Sequence, residues 1–401
     1  MPMNCRGVIV GAGIIGSAIA YELSRLGESD LVVVDPDLLG SLSSTERNAG
    51  GVRHLWQHRI NFELSRHSID LFEKIKESVG FHQTGYLWLV SNAGRESGEA
   101  IFSKAKTYQR GYEQWSLKKI KDHYPFIDKT DDLAFAIFGS RDGLINANAL
   151  KNYYRTEAKK KGVKFLDRLA LTSLALDKGK PRLELTRFHN ADQALNFIRN
   201  PEAETKASEP FDCEYAVLCA GPWMASLLPR LGHEKTVRPI RRQISFFKAE
   251  TFDMSPYGMV VDTSHVYFHP EGGNILSGLV LKAEREGYFF DYDPSFFEQN
   301  IWPPLFERST HFERLKHISG WAGLYSYTSD TTGILGKLPP FENVYEAHSF
   351  TGRGVMQSYG VAISLAELIL NKRFTTIDAK SLSRQRFALG KEAWLHEELH
   401  I

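Results

Sequence analysis

The chain has 401 residues, long enough for more than one domain, and 49 Lys plus Arg balance 48 Asp plus Glu to leave a net charge of +1. That balance excludes a sequence-wide basic field for nucleic acid or an anionic membrane, and an apolar share of 42% with 24% charged residues excludes a disordered chain. Three cysteines, Cys5, Cys213 and Cys219, give neither a disulfide framework nor metal-type spacing, and no metal site is expected.

The first apolar stretch is broken at once by glycines, so no signal peptide is predicted, and no run approaches the roughly 20 apolar residues of a membrane span. These features predict a soluble, cytoplasmic protein with no transmembrane segment and no nucleic-acid partner.

Gly7 to Val10 read as a short buried strand, followed by the turn Gly11-Ala12-Gly13-Ile14-Ile15-Gly16. Ile14, Ala18, Ile19, Leu23 and Leu26 then recur at helical spacing, and Leu31 to Val34 form a second strand that ends at Asp35-Pro36. In such a βαβ unit the glycines permit a tight turn, close approach of backbone to a pyrophosphate, and close helix packing, while the acid accepts hydrogen bonds from a ribose. The cofactor could be FAD or NAD on this signal alone. The hydroxyl- and glycine-rich stretch Ser43, Ser44, Thr45, Arg47, Asn48, Ala49, Gly50, Gly51 to Arg53 suits contact with a pyrophosphate and a flat ring.

Gly85 to Val90 is an aromatic, alternating strand of the half-buried kind. Asn148 to Lys161 reads as a helix stopped by Gly162, with its three terminal lysines suited to the helix dipole, and a strand starts at Val163. The polar segment Phe188 to Glu209 reads as a surface excursion. Tyr215 to Trp223 is an apolar strand ending at Ala220-Gly221, in the same sheet as the first two. Arg238, Arg241 and Arg242 form a local basic cluster, from which a preference for acidic substrates is inferred. Ser264 to Phe268 reads as another half-buried strand, with His265 and His269 on it. Asn343 to Ala347 reads as a strand that runs into Gly352, Arg353, Gly354, Val355 and Met356 at the start of a long apolar-faced helix. Its N-terminal N–H groups could hold an anion.

Taken in order, the GAGIIG turn, the loop ending at Arg53, the VLCAGPW strand and the GRGVM helix start resemble the FAD-dependent D-amino acid oxidase superfamily, in particular its sarcosine oxidase and sarcosine dehydrogenase branch. Asp262-Thr263-Ser264, Trp321 to Tyr327 and Arg373 to Asp378 are similar to a mitochondrial group of FAD-dependent oxidoreductase domain proteins associated with respiratory complex I assembly. The resemblance implies mixed α/β and α+β architecture: a Rossmann-like FAD-binding domain of the glutathione reductase-like, DAO type from 1–80, 145–225 and 320–401, interleaved with an antiparallel-sheet substrate domain from 81–144 and 226–319.

The resemblance also implies a cofactor site: Gly11, Gly13, Ile14, Ile15 and Gly16 at the pyrophosphate; Asp35 and Pro36 at the ribose; Ser43 to Gly51 along the flavin; Leu171 at the adenine. Ala220, Gly221, Trp223, Gly323 and Leu324, and the loop Gly352 to Met356, complete it. In monomeric sarcosine oxidases a cysteine carries the flavin covalently where this chain has Gly323, so non-covalent FAD is expected. The lysine that helps hold the substrate carboxylate corresponds to Met356, and the lysine that speeds oxygen reduction has no equivalent in Asn274 to Leu279. A dehydrogenase passing electrons to an unidentified acceptor is therefore favoured over an oxidase.

The implied reaction is oxidation of a C–N bond in an amino acid or secondary amine of the sarcosine, glycine or D-amino acid type, by hydride transfer to flavin. Arg53, Tyr325, Tyr327 and Arg353 are the candidate catalytic residues, and Arg53, His269, Trp321 and Tyr325 the candidate substrate contacts. A forked guanidinium at Arg53 suits a carboxylate, and the tyrosines with Trp321 form an aromatic wall. Oxidation of a 2-hydroxy acid or polyol phosphate, or an FAD-retaining assembly role, are the alternatives.

Overall fold

The buried valines at 8, 10, 32, 33 and 34 build the centre of the molecule. In the computed structural model, which describes residues 3–108, 111–200, 208–281, 283–397 and 399, β1 (Met3–Val10) pairs in parallel with β2 (Leu31–Asp35). The helix α1 (Ile14–Arg25) crosses between them. Strand Ser208–Leu218 pairs in parallel with the other edge of β1, and Val344–His348 with Ser208–Leu218. Strands covered on both faces need near-continuous apolar sequence, and 7–10, 31–34 and 215–218 have it. Helices Ala147–Lys160 and Gly354–Asn371 pack beside α1. Among the described residues this first sheet has eight strands.

A second eight-stranded sheet, antiparallel except where Met259–Val261 runs parallel to Tyr86–Ser91, draws its strands from 86–139 and 238–327. Its longest pairing joins Arg238–Ala249 to Leu315–Tyr327, with Ile240 opposite Tyr325 and Arg242 opposite Gly323. The strand Leu315–Tyr327 spans the boundary expected at 320 and belongs to this second sheet.

Two stretches differ from the sequence reading. Of residues 188–209, 201–207 lie outside the described residues, and the part before them is not a simple surface excursion: Ala191–Arg199 is a helix, capped by Asn190 on the Gln193 N–H, that buries Ala194, Leu195 and Phe197. The apolar residues at 194, 195, 197 and 198 lie within one short amphipathic run that the surrounding polar residues conceal. The strand expected from Ser264 starts only at Tyr267. The Asp262 carboxylate accepts from the N–H and hydroxyl of Ser264 and closes a turn in which His265 has φ 68°.

The C-terminal segment is tied to the body by a buried ion pair. Arg386 donates from Nε to Asp330 Oδ2 at 2.7 Å and from Nη2 to Oδ1 at 3.0 Å, and the Leu395 N–H donates to Asp330 Oδ2 at 2.9 Å. Both side chains are almost fully buried. Arg386→Met is expected to cost about 3 kcal/mol, because it strands a buried carboxylate, as read by denaturant unfolding. Despite the cost of burial, the Arg386 pair holds the Asp330 carboxyl below its usual range. Its folded value lies below the unfolded one, so this stabilisation is present at neutral pH and is lost as pH falls through the folded value.

Candidate functional site

A long cleft follows the carboxyl ends of β1 and β2, passes between the sheets and ends among Arg53, Arg242, Arg353 and tyrosines of the second sheet. Its first part is made by the glycine turn. Gly11 has φ 105°, and a Cβ there would meet the Cys219 carbonyl oxygen at 2.6 Å. At Gly16, which lies behind the cleft wall, a Cβ would collide with the Gly11 carbonyl, so only glycine lets α1 sit this close to the turn. Gly13, the N-cap of α1, carries no side-chain cap, and a Cβ on it would meet only Thr45 Oγ1, at 3.6 Å. The helix end is therefore open to an anion.

Asp35 accepts from the Ala12 N–H at 2.6 Å and the Asp37 N–H at 2.8 Å. Burial raises its carboxyl pKa to about 6, against the lowering effect of those two N–H groups and of Arg155. Arg155 reaches the same turn, donating to the carbonyls of Ala12 and Leu38. Farther along, Leu169, Ala170 and Leu171 face Leu195 and Ile198 of the helix Ala191–Arg199 across an apolar slot. The sequence signal for that helix wall was the short amphipathic run within 191–199.

The loop from Ser43 to Gly51 is fixed to the second sheet. Ser44 Oγ donates to the Leu324 carbonyl at 2.6 Å, Arg47 Nη1 to the Ala322 carbonyl at 2.8 Å, and Trp321 Nε1 to the Arg47 carbonyl at 3.1 Å. Thr45 Oγ1 accepts from the Ile14 N–H at 3.1 Å, so one loop joins the start of α1 to the second sheet. Pro36, Ser43 to Gly51, Ala220, Gly221, Trp223, Gly323, Leu324 and Gly352 to Met356 all line the cleft. Trp223 stacks on Tyr288 with centroids 4.6 Å apart.

At the far end Arg353 is 2% exposed, and neither Nη1 nor Nη2 has a hydrogen-bond partner; only Nε is engaged, on the Phe350 carbonyl at 3.2 Å. Burial lowers its pKa to about 10, with Glu397 acting to raise it and Arg53 to lower it, so it remains a cation at neutral pH. Arg53 is equally buried but more committed. Its Nη1 donates to the Leu55 carbonyl at 2.9 Å, its Nη2 to the Leu399 carbonyl, and it stacks over Trp56 at 3.7 Å. Glu397, on the same C-terminal stretch, accepts from the N–H groups of Gln57 and His58 and from Asn61. Sequence reading did not mark this tail; nothing in its local pattern indicates that it returns to the cleft.

Tyr325 lines this end beside Arg353, with Tyr86, Met259 and Tyr267. A Cβ on Gly352 would strike the Tyr325 ring at 2.5 Å, which shows how closely that loop approaches. Burial pushes the hydroxyl pKa of Tyr86, Tyr267 and Tyr325 upward, so these side chains stay protonated. Tyr327 and Trp321 are not wall residues of the cleft; Tyr327 reaches it through Arg242 and Trp321 through Arg47. His269 is buried on its strand, bonded to the Pro270 carbonyl, and does not line the cleft. His54 is held by Asp142 at 2.5 Å and by the Tyr112 hydroxyl. No metal-binding group of His, Cys, Asp and Glu occurs among the described residues.

The donors and walls fit a dinucleotide flavin. Gly11 to Ile15 can take the pyrophosphate, Asp35 a ribose, the Leu171 slot an adenine, and the far part an aromatic ring system. No helix among the described residues is long and apolar enough to cross a membrane.

Comparison with known proteins agrees with this geometry. The sequence profile described as FAD dependent oxidoreductase (DAO) matches residues 7–368. FAD-dependent oxidoreductase domain-containing protein 1 of Bos taurus is 28% identical, over 97% of this chain and 86% of its own. Mitochondrial sarcosine dehydrogenase of Mus musculus is 24% identical, over all of this chain and 43% of its own. Among solved structures, L-proline dehydrogenase from P. horikoshii superposes with a TM-score of 0.84 at 21% identity, covering 97% of this chain and 99% of that one, and shares the fold. A family match that spans almost the whole chain, on a cleft with the matching donor set, places this protein in the FAD dependent oxidoreductase (DAO) family as an FAD-binding oxidoreductase.

Proposed function

We propose that this flavoprotein oxidises the C–N bond of an amino acid or secondary amine, of the sarcosine, glycine or D-amino acid type, and passes the electrons to an acceptor other than oxygen. The observation that carries the reading is Arg353: a buried guanidinium with two unpartnered nitrogens, set in an aromatic wall, is built to take a carboxylate. Arg53 has donors already spent on the Leu55 and Leu399 carbonyls, so it supports the anchor more than it forms it. FAD supplies the hydride acceptor.

The protein's own part is positional. Tyr86, Tyr267 and Tyr325 stay protonated, so they act as walls and hydrogen-bond donors and take no proton from the substrate. That suits a substrate that reacts as a neutral amine. No lysine lines the cleft among the described residues, which supports an acceptor other than oxygen. Sarcosine dehydrogenase among the relatives also supports amine chemistry.

Cofactor attachment is non-covalent in this reading. The Gly323 position holds no nucleophile, and burial pushes the thiol pKa of Cys219, the cysteine on the cleft wall, far up, leaving it protonated. Acid precipitation should release all yellow colour into the supernatant; colour kept in the pellet would overturn this part.

Asp35 gives FAD retention a pH dependence. Ribose hydroxyls donate to the carboxylate and favour its charged form, so FAD binding should release a proton and tighten as pH rises, levelling off above about 6. Fluorescence titration of the stripped protein should show affinity falling below that pH, with the dependence abolished in Asp35→Asn.

Anaerobic mixing with a panel of amines and 2-hydroxy acids should bleach the flavin with amines, and re-admitted air should restore it slowly. Bleaching by hydroxy acids alone would replace the amine reading, and rapid reoxidation in air would replace the dehydrogenase one. Arg353→Met should lower kcat/KM for carboxylate-bearing amines about a hundredfold, mainly through KM, in protein shown to retain FAD.

A further inference from the structure

The three arginines of the basic cluster at 238–242 part company in the fold. Arg238 is exposed and paired with Glu286, and Arg241 is clamped by Glu284 at 2.9 Å and Asp291 at 2.8 Å. Arg242 alone turns into the cleft. It is 8% exposed, donates from Nη1 to the Arg241 carbonyl and from Nη2 to the Tyr327 hydroxyl at 2.7 Å, and leaves Nε without a partner. Its guanidinium lies 5.4 Å from the centre of the Tyr325 ring and 5.2 Å from that of Tyr327.

Tyr325 stands between Arg242 and the Arg353 loop, so both cations border one end of the cleft. Neither meets a carboxylate among the described residues. The acids that line the cleft, Asp35, Asp37 and Glu46, lie near Arg155 and Lys151 at the nucleotide end. Behind the far wall, Asp330 is held by Arg386 and Asp142 by His54 and Tyr112, which leaves Glu397 as the nearby carboxylate shared by Arg53 and Arg353. Among the described residues, the three buried guanidinium groups of Arg53, Arg242 and Arg353 then stand against the one carboxylate of Glu397, an excess of two positive charges. Such charges are costly in a cavity shielded from water and are relieved by an anion of matching count.

We propose that the site selects a substrate with two carboxylates, an N-substituted amino acid or amino diacid in which Arg353 anchors one carboxylate and Arg242 the other. The inference rests on the amine-oxidation reading for the reaction, and on Arg242 and Arg353 for the charge count. A monocarboxylate amine would satisfy one guanidinium and leave the second stranded, so the preference is a discrimination as well as an attraction.

The test separates binding from turnover. With the FAD-loaded protein, calorimetric titration with glutarate and with butyrate, neither of them an amine, should show glutarate binding tighter by about tenfold or more. Arg242→Met should bring glutarate close to the affinity of butyrate, and Arg242→Lys should restore part of the difference. Equal affinity of the two acids for the unaltered protein would overturn the proposal whether or not the variants fold, as would a variant that weakens both acids equally. In the anaerobic assay iminodiacetate should bleach the flavin with higher kcat/KM than sarcosine. A reversed order would overturn the dicarboxylate preference and leave amine oxidation standing. Glutarate selectivity without bleaching by any amine would overturn amine oxidation and leave the two-anion site standing.

Discussion

The contact of the first helix with the first strand, at Gly11 and Gly16, is the constraint on which the site depends. With any side chain at Gly16 the helix would be driven off the Gly11 carbonyl. Its open N-terminus would then no longer lie beside Asp35 at the end of β2. Everything else in the cleft is arranged around that corner: Thr45 caps the Ile14 N–H, and the loop that carries Thr45 is the one bonded to Ala322 and Leu324 of the other sheet. A backbone approach inside one βαβ unit thus fixes where the two sheets meet.

Charge is distributed along the cleft in the same logic. The nucleotide end holds its acids near partner cations, as in Asp35 with Arg155 and Glu46 with Lys151. The far end holds buried guanidinium groups whose neighbours are aromatic rings and backbone carbonyls. Rings lower the cost of burying a guanidinium without neutralising it. A pocket of this kind keeps its attraction for an anion, which an internal salt bridge would have used up. The C-terminal stretch contributes through Glu397 and the Leu399 carbonyl, and it is kept in place by the Asp330 and Arg386 pair.

Much of the cleft wall was legible in the chain because local geometry dictates it. A glycine turn between an apolar strand and an apolar-faced helix, with an acid ending the next strand, has few other physical uses, and the wall residues expected from 11–16, 35–51, 220–223 and 352–356 face the cleft except Gly16, which lies behind its wall. The helix Ala191–Arg199 was missed because its buried side is only a few residues wide within a polar segment. His269 and Trp321 carried the right chemistry but point elsewhere, and strand alternation without a register does not say to which face a side chain goes.

The sequence by itself determined the glycine turn with its acid, whose residues lie close together and whose spacing is the mechanism, and the family, through motifs that follow one another in order along the chain. Only the tertiary structure decided which arginines are available. Arg53, Arg242 and Arg353 look alike in sequence. Yet Arg53 is occupied by carbonyls, one of them from Leu399 at the other end of the chain, while Arg242 and Arg353 keep nitrogens unpaired beside one tyrosine. Partnering of a buried cation depends on distant segments and on desolvation, and neither is written in the residues that flank it.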